Sequence, residues 1–234
     1  MRIRVIDFEA TDDDKAKASG RPVGICEFGY TDVVIGPLGS LRIEPTVSSL
    51  INPNVPMSIE ALAVHHITPS ELEGAPPPDY AARSLMGGLE DRDMFAAHNA
   101  EFERLFFAGG SHRWICTYRS ARLLLPDAPR HSNQYLRYHL GVDKNFHDPT
   151  AAMPPHRAGP DSYVTAHILV ELLRMADPER LASITSDPIL LETVPFGQNK
   201  GKPWSVVNRS YLEWVINQDF DRDIKHTARH WLSK

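Results

Sequence analysis

The chain has 234 residues, 42% of them hydrophobic and 24% charged, with a formal net charge of −5. A chain of this length buries roughly 70% of its unfolded surface, so it needs no staple to fold, and its composition excludes a largely disordered polymer. Two solitary cysteines, Cys26 and Cys116, exclude a disulfide scaffold and a cysteine-based zinc site. No apolar run approaches the ~20 residues of a membrane span, and Met1–Phe8 lacks the apolar core of a signal peptide. The expectation is a soluble cytoplasmic protein with no membrane partner. The charge is uneven: residues 196–234 carry seven Lys/Arg against four Asp/Glu, which leaves −8 on the preceding body. An acidic body can meet phosphate if its carboxylates hold divalent cations, and a basic tail attracts phosphate directly.

Ile3–Phe8 begins with apolar alternation, Val23–Ile35 is rich in β-branched and aromatic residues, and Ser40–Glu44 follows a Gly-Pro-Leu-Gly turn. No helix-length pattern separates these three runs, which predicts an antiparallel meander. Ser58–Val64 reads as a short helix, and Tyr80–Leu89 as a longer one behind the breaker Pro76–Pro78. Met94–Ala97 and Arg113–Thr117 read as short buried strands, each followed by a helical segment. Asn99 is placed to cap the first of these helices, and Gly109–Gly110 to end it. The Pro-rich stretch Asp143–Pro155 reads as a loop. Gly159–Pro160 opens a helix with proline at its first position, where no amide donor is needed. Val164, Ile168 and Leu172 form the apolar face of that helix, and Asp177–Pro178 stops it. Residues 177–194 read as a connector with a short helix. Beyond it, Phe196, Trp204, Tyr211, Trp214 and Trp231 are enough to nucleate a small core. The expected class is α/β, a mixed sheet flanked by helices.

Three groups of residues carry chemistry. Asp7 and Glu9 are two apart on a strand and so share a face, at the C-terminal end of a central strand, where open α/β sheets bind ligands. Paired carboxylates repel unless neutralised, and hard oxygen donors suit Mg²⁺ or Mn²⁺. Alternatively, Glu9 merely begins the acidic turn of Asp12, Asp13 and Asp14. His156 sits on a loop and Asp161 in the first turn of the helix behind Pro160, where the helix dipole stabilises a carboxylate. Read alone, the pair is better taken as a helix-start aspartate and an exposed loop histidine. Glu103 follows Phe102 on the helix after His98-Asn99-Ala100, and periodicity alone makes it a solvated position.

In this order, Asp7-x-Glu9, His98-Asn99-Ala100-x-Phe102-Glu103 and His156-x-Ala158-x-x-Asp161 resemble the motifs of the DEDDh-type 3′→5′ exonucleases. The resemblance is nearest to their bacterial exodeoxyribonuclease X group. It extends through Ala61-Leu62-Ala63-Val64-His65-His66-Ile67-Thr68, Trp114-Ile115-Cys116-Thr117 and Ser132-Asn133. It continues into Phe196-Gly197-x-x-x-Gly201-Lys202 and Tyr211-Leu212-x-Trp214. It implies an RNase H-like exonuclease domain over residues 1–176, the connector over 177–194 and a small C-terminal module over 195–234. It also implies two Mg²⁺ or Mn²⁺ ions per site and release of 5′-mononucleotides from a DNA 3′ end, single-stranded or frayed. On this pattern Asp7, Glu9, Glu103 and Asp161 are the metal ligands and His156 is the general base, since histidine ordinarily changes charge near neutral pH.

Phe8, Thr11, His65 and Asn99 would contact the terminal nucleotide, and Lys200 and Lys202 the rest of the nucleic acid. Asn99 is equally a helix cap, and His65 a satisfied core histidine. The chain departs from the family pattern at Glu103, where the family has aspartate, and at Ala10, where it has threonine, although Thr11 follows. Two alternatives stay open. One is a 3′→5′ exoribonuclease on the same fold, since no motif reads the 2′-hydroxyl; the other is a catalytically impaired nucleic-acid-binding paralogue.

Overall fold

The computed structural model describes residues 1–234. Six strands form one sheet: β1 (Arg2–Ala10), β2 (Ile25–Ile35), β3 (Leu41–Ile43), β4 (Val47–Leu50), β5 (Met94–Ala97) and β6 (Arg113–Cys116). The order is β3-β2-β1-β5-β6, with β4 also paired to β2. β1, β2 and β3 pair antiparallel as the expected meander, while β1, β5 and β6 run parallel. β4 was not foreseen. Its four residues, Val-Ser-Ser-Leu, carry too little apolar pattern to announce a strand, and it is placed by antiparallel pairing with Glu27–Tyr30.

Strand alternation divides β1 between two cores. Ile3 and Val5 face the larger core, with Met94, Ala96, Val164, Ile168 and Leu172, whereas Ile6 and Phe8 face the other, with Phe28, Phe95 and Trp114. Asp7 and Glu9 continue the row of Ile3 and Val5 past the end of the first core. Ten α-helices surround the sheet: α1 (Asp14–Ala18), α2 (Ile59–His65), α3 (Pro78–Met86), α4 (Ala100–Arg104), α5 (Thr117–Leu124), α6 (Asn133–His139), α7 (Ala158–Met175), α8 (Pro178–Ser186), α9 (Arg209–Asn217) and α10 (Arg222–Leu232). None is long and apolar enough to cross a membrane.

Several boundaries differ from the sequence-based expectations. Pro78 is the first residue of α3, so the proline run starts that helix two residues early rather than blocking it. Asn99 occupies the N-cap of α4 in the left-handed region (φ 78°, ψ 53°), and its side chain makes no cap hydrogen bond. That helix ends at Arg104, well before Gly109. α7 begins at Ala158, so Pro160 is its third residue, still within the turn whose amides lack helical acceptors. Asp177–Pro178 does not only end α7: Asp177 caps α8, accepting from the Arg180 N–H at 2.7 Å. α8 buries Leu181, Ala182 and Ile184 in the larger core.

Beyond residue 190 a third core gathers Val194, Trp204, Leu212, Val215, Ile224 and Ala228, with Phe196, Tyr211 and Trp231 packed against it. Trp214 stays 45% exposed. A buried ion pair docks this segment to α5: Arg119 Nη2 meets Asp223 Oδ1 at 2.8 Å and also donates to the Asp187 carbonyl at 2.6 Å. Arg122 pairs with Asp221 at 3.0 Å on the rim.

Candidate active site

The parallel strand β1 ends beside the start of α7, and the sheet brings Asp7 and Glu9 there on one face. A side chain on β2 opposite Asp7 would fill the space that α7 occupies, but the register puts Gly29 at that position. A Cβ on Gly29 would collide with the Ala158 carbonyl and the Gly159 nitrogen. The helix start therefore rests on bare strand, and Asp161 in its first turn reaches the strand carboxylates. One oxygen each from Asp7, Glu9 and Asp161 lies within a common 4.8 Å.

Asp161 is held from two sides. Its Oδ2 accepts from the His156 main-chain N–H at 2.8 Å, and its Oδ1 accepts from Gln134 Nε2 at 2.8 Å. Gln134 is steadied by Arg137, whose Nη1 donates to Gln134 Oε1 at 3.2 Å. Asn133 donates to the Asp161 carbonyl at 3.3 Å and to Thr165 Oγ1 at 2.6 Å, tying α6 to α7. Gln134 is a site residue that the sequence did not announce. It follows the noticed Ser132-Asn133, but its role depends on how α6 meets α7.

Glu103 is not the solvated helix residue of the bare periodicity: it is 2% exposed, and its Oε2 has no hydrogen-bond partner. Burial raises the proton affinity of all four carboxylates, and neighbouring carboxylates add to it at Asp7, Glu9 and Glu103. Asp7 is pushed well above the usual carboxylate range by burial first, then by Asp161, Glu9, Glu103 and Glu27. Burial and the charge of Asp161 push Glu9 up to about 8, and burial followed by Glu9 pushes Glu103 up to about 8. Asp161 is also raised by burial, against the hydrogen bonds from His156 and Gln134 that favour its charged form. Such a set is strained as it stands: ionised, it repels itself, and without a counter-charge only retained protons relieve the repulsion. A divalent cation supplies that counter-charge, and the orphaned Glu103 Oε2, outside the 4.8 Å group but near enough to raise Asp7 and to be raised by Glu9, fits one. The acidic cluster can therefore hold a divalent metal.

The remaining expected site residues are dispersed. His156 is exposed, with φ 59°, and its main-chain N–H, not its ring, is what contacts the cluster. Asn99 is also exposed. Phe8 turns its ring to the opposite face from Asp7 and Glu9, as strand alternation requires, and contributes a wall rather than a polar contact. Thr11 is fully buried, and its hydroxyl accepts from the Gly24 N–H at 3.2 Å, which ties the β1 end to the β2 start. Its side chain is not available to a nucleotide.

The same holds for the polar atoms of His65: Nδ1 accepts from the Ile67 N–H at 2.9 Å, so Nε2 donates to the Ala10 carbonyl at 3.2 Å. This is the satisfied core histidine. His65 still lines a cavity of about 320 Å³ beside Glu9, with Phe8, Ala61, Val64 and Phe102. Lys200 lines a larger cavity, about 610 Å³, in the seam between α5, residues 126–131 and the C-terminal segment. Lys202 is exposed and donates to Asn199 Oδ1 at 2.9 Å.

Residues 5–169 match the family model described as Exonuclease, RNase T type. Exodeoxyribonuclease 10 of Escherichia coli strain K12 is 30% identical over 237 residues, covering 98% of each chain. A solved structure of exonuclease X in complex with 5′-overhanging duplex DNA is 29% identical. It has a TM-score of 0.65 and covers 79% of this chain and 99% of its own. A 3′-exonuclease recognising the 3′ end of a histone mRNA stem-loop is 19% identical, with a TM-score of 0.55 over 75% of this chain and 82% of its own, a likeness of fold alone. With an RNase H-like mixed sheet, an acidic cluster at the end of its central strand and a family match over most of its length, the chain belongs to the exonuclease family and is a phosphodiester-hydrolysing nuclease.

Proposed function

We propose that the protein removes nucleotides one at a time from the 3′ end of DNA, releasing 5′-mononucleotides. The observation that carries this reading is the convergence of Asp7, Glu9 and Asp161 oxygens within 4.8 Å, with a buried, unpartnered Glu103 carboxylate whose charge is felt by Asp7. Asp7, Glu9 and Asp161 would hold one Mg²⁺ or Mn²⁺ ion, and Asp7 with Glu103 the second. When bound, such a pair activates water and stabilises the charge that develops on the leaving 3′ oxygen.

The chain's own groups do the rest. His156 accepts the proton of the attacking water from the lip of the cluster, a position that its fixed main-chain link to Asp161 maintains. The terminal base takes the cavity walled by Phe8, Val64 and Phe102, and the exposed Asn99 is offered as a further contact to the terminal nucleotide. Asp161 keeps its orientation through Gln134. Residues 195–234 form a substrate-holding module behind the nuclease body of residues 1–176 and the connector of 177–194. Lys200 and Lys202 are set for phosphates, and Tyr118 and Phe220 line the seam where a strand can lie.

Incubation of the full chain with single strands of DNA and RNA, labelled at either end, with Mg²⁺, Mn²⁺ or chelator, tests the proposal. The expected result is immediate release of label from the 3′ end of DNA and a descending ladder from 5′-labelled DNA, both abolished by chelator. Preferential digestion of RNA would turn the reading to an exoribonuclease. Binding without hydrolysis would turn it to an impaired paralogue.

A further inference from the structure

Arg157 follows His156 directly and has no place in the reaction, yet it makes one of the firmest contacts in the molecule. Its guanidinium reaches β2, where Nε donates to Glu27 Oε2 at 2.9 Å and Nη2 donates to Glu27 Oε1 at 2.7 Å. The same Oε2 accepts from the N–H of Ala158, the first residue of α7, at 2.9 Å. Glu27 is 4% exposed, between the buried Ile25, Cys26 and Phe28 of β2. In the β1–β2 ladder it stands directly across from Glu9, just as Gly29 stands across from Asp7. On the far side, Gly159 rests against Ser48 of β4, where an added Cβ would come within 3.0 Å of the Ser48 Oγ. The start of α7 is thus fixed to β2 at the two positions that the sheet pairs with the two strand carboxylates.

We propose that Glu27 and Arg157 are positioning residues of the nuclease, whose ion pair holds the α7 start in register with β1 so that His156 and Asp161 meet Asp7 and Glu9. A fifth carboxylate near four others adds to their repulsion, and an ion pair buried on the Glu27 side with Arg157 31% exposed is a poor device for stability alone. Its geometry is what apolar packing does not provide. A two-pronged guanidinium–carboxylate contact fixes direction as well as distance, which a lysine at the same place does not. Glu27 is not a further metal ligand, since Arg157 and the Ala158 N–H engage both of its oxygens. The inference rests on the site assigned above.

The test is a double-mutant cycle in the full chain with Glu27→Gln, Arg157→Gln and both together, and with Arg157→Lys as the conservative variant. Each is followed by kcat and KM on 5′-labelled single-stranded DNA, by Mn²⁺ affinity from calorimetry and by melting temperature. Each Gln variant is expected to lower kcat at least ten-fold with KM within three-fold, and to weaken Mn²⁺ binding at least three-fold. The double variant should be no worse than the worse single, because a broken pair loses nothing more with its second partner. Arg157→Lys should fold normally and lie between parent and Arg157→Gln. Singles with unchanged kcat, a double variant whose loss is the product of the two singles, or Arg157→Lys equal to the parent would each overturn the proposal. A parent inert towards DNA under either metal would instead contradict the nuclease reading, and the Mn²⁺ titration would still report whether the pair orders the acidic cluster.

Discussion

The main-chain N–H of His156, not its imidazole, is what touches Asp161, at 2.8 Å from Oδ2. This bond closes a tight loop in which residue 156 takes a left-handed conformation, and the exposed side chain of the residue takes no part in it. In the proposed mechanism the orientation of the Asp161 carboxylate and the acceptance of a proton are therefore separable properties of one residue.

His156→Ala separates them. The alanine keeps its N–H and with it the bond to Asp161, while the imidazole is gone. Turnover should fall by about 10²–10⁴, the span for removing a positioned general base. Mn²⁺ affinity measured by calorimetry should change less than three-fold. A variant that no longer binds Mn²⁺ would make the imidazole a ligand.

Metal-free stability should fall as pH rises above neutrality. Glu9 and Glu103 ionise near 4.5 in the unfolded chain but only near 8 in the folded one. Their contribution is therefore complete below about 4.5 and is lost as pH rises through about 8, because the folded state holds protons that the unfolded chain has released. The buried His98 and His167, held down to about 4, act in the opposite direction only below about 6.5. Between pH 6.5 and 8 the carboxylates act alone, and urea unfolding in chelator should lose on the order of 3 kcal/mol. Saturating Mn²⁺ should remove most of that slope. A metal-free stability that is flat or rising over this interval would contradict the crowding of charge at the site.

Glu103→Gln deletes a buried charge from the cluster and should lower kcat at least 100-fold. Glu103→Asp keeps the charge on a stem shorter by one methylene, and should stay within about a decade of the parent, the scale of a 1.4 kcal/mol perturbation. Steady-state rates on one oligonucleotide at saturating Mn²⁺ decide the matter. Parent-like activity in Glu103→Gln would remove this residue from the site.

Asp223→Ala leaves the guanidinium of Arg119 buried without its charge partner; the two side chains are only 5% and 3% exposed. Loss of one partner of such a pair costs roughly 3–5 kcal/mol. The C-terminal segment should loosen and become open to limited proteolysis between residues 187 and 195. Hydrolysis of a dinucleotide should stay within about three-fold of the parent, because the acidic cluster does not touch the pair. Unchanged protease resistance would mean that the apolar seam, not the ion pair, docks the segment.

Local pattern made part of this legible. The two-residue period of β1 put Asp7 and Glu9 on one face, and the spacing of Val164, Ile168 and Leu172 identified the buried side of α7. What stayed hidden depends on long-range packing. Gln134 reaches Asp161 across 27 residues of chain, and Arg119 reaches Asp223 across 104. The start of α7 was misplaced because Gly159–Pro160 reads locally as an initiation signal, whereas Glu27 and the bare strand at Gly29 draw the helix start back to Ala158. Glu27 did leave a trace, a charge in an apolar strand run. Asn99 had the right residue type for a cap, but its left-handed backbone makes no cap hydrogen bond with its side chain.

The central claim is that Asp7, Glu9, Asp161 and Glu103 form the metal site at which the chemistry occurs. Anomalous diffraction at the manganese edge, from crystals of the His156→Ala protein grown with Mn²⁺ and a short DNA strand, tests it most directly. The account predicts two peaks at the end of β1, one within ligand distance of Asp7, Glu9 and Asp161 and the other beside Asp7 on the Glu103 side, with the 3′ end of the strand against both. No peak at this cluster, or manganese bound elsewhere with the DNA end beside it, would contradict the account.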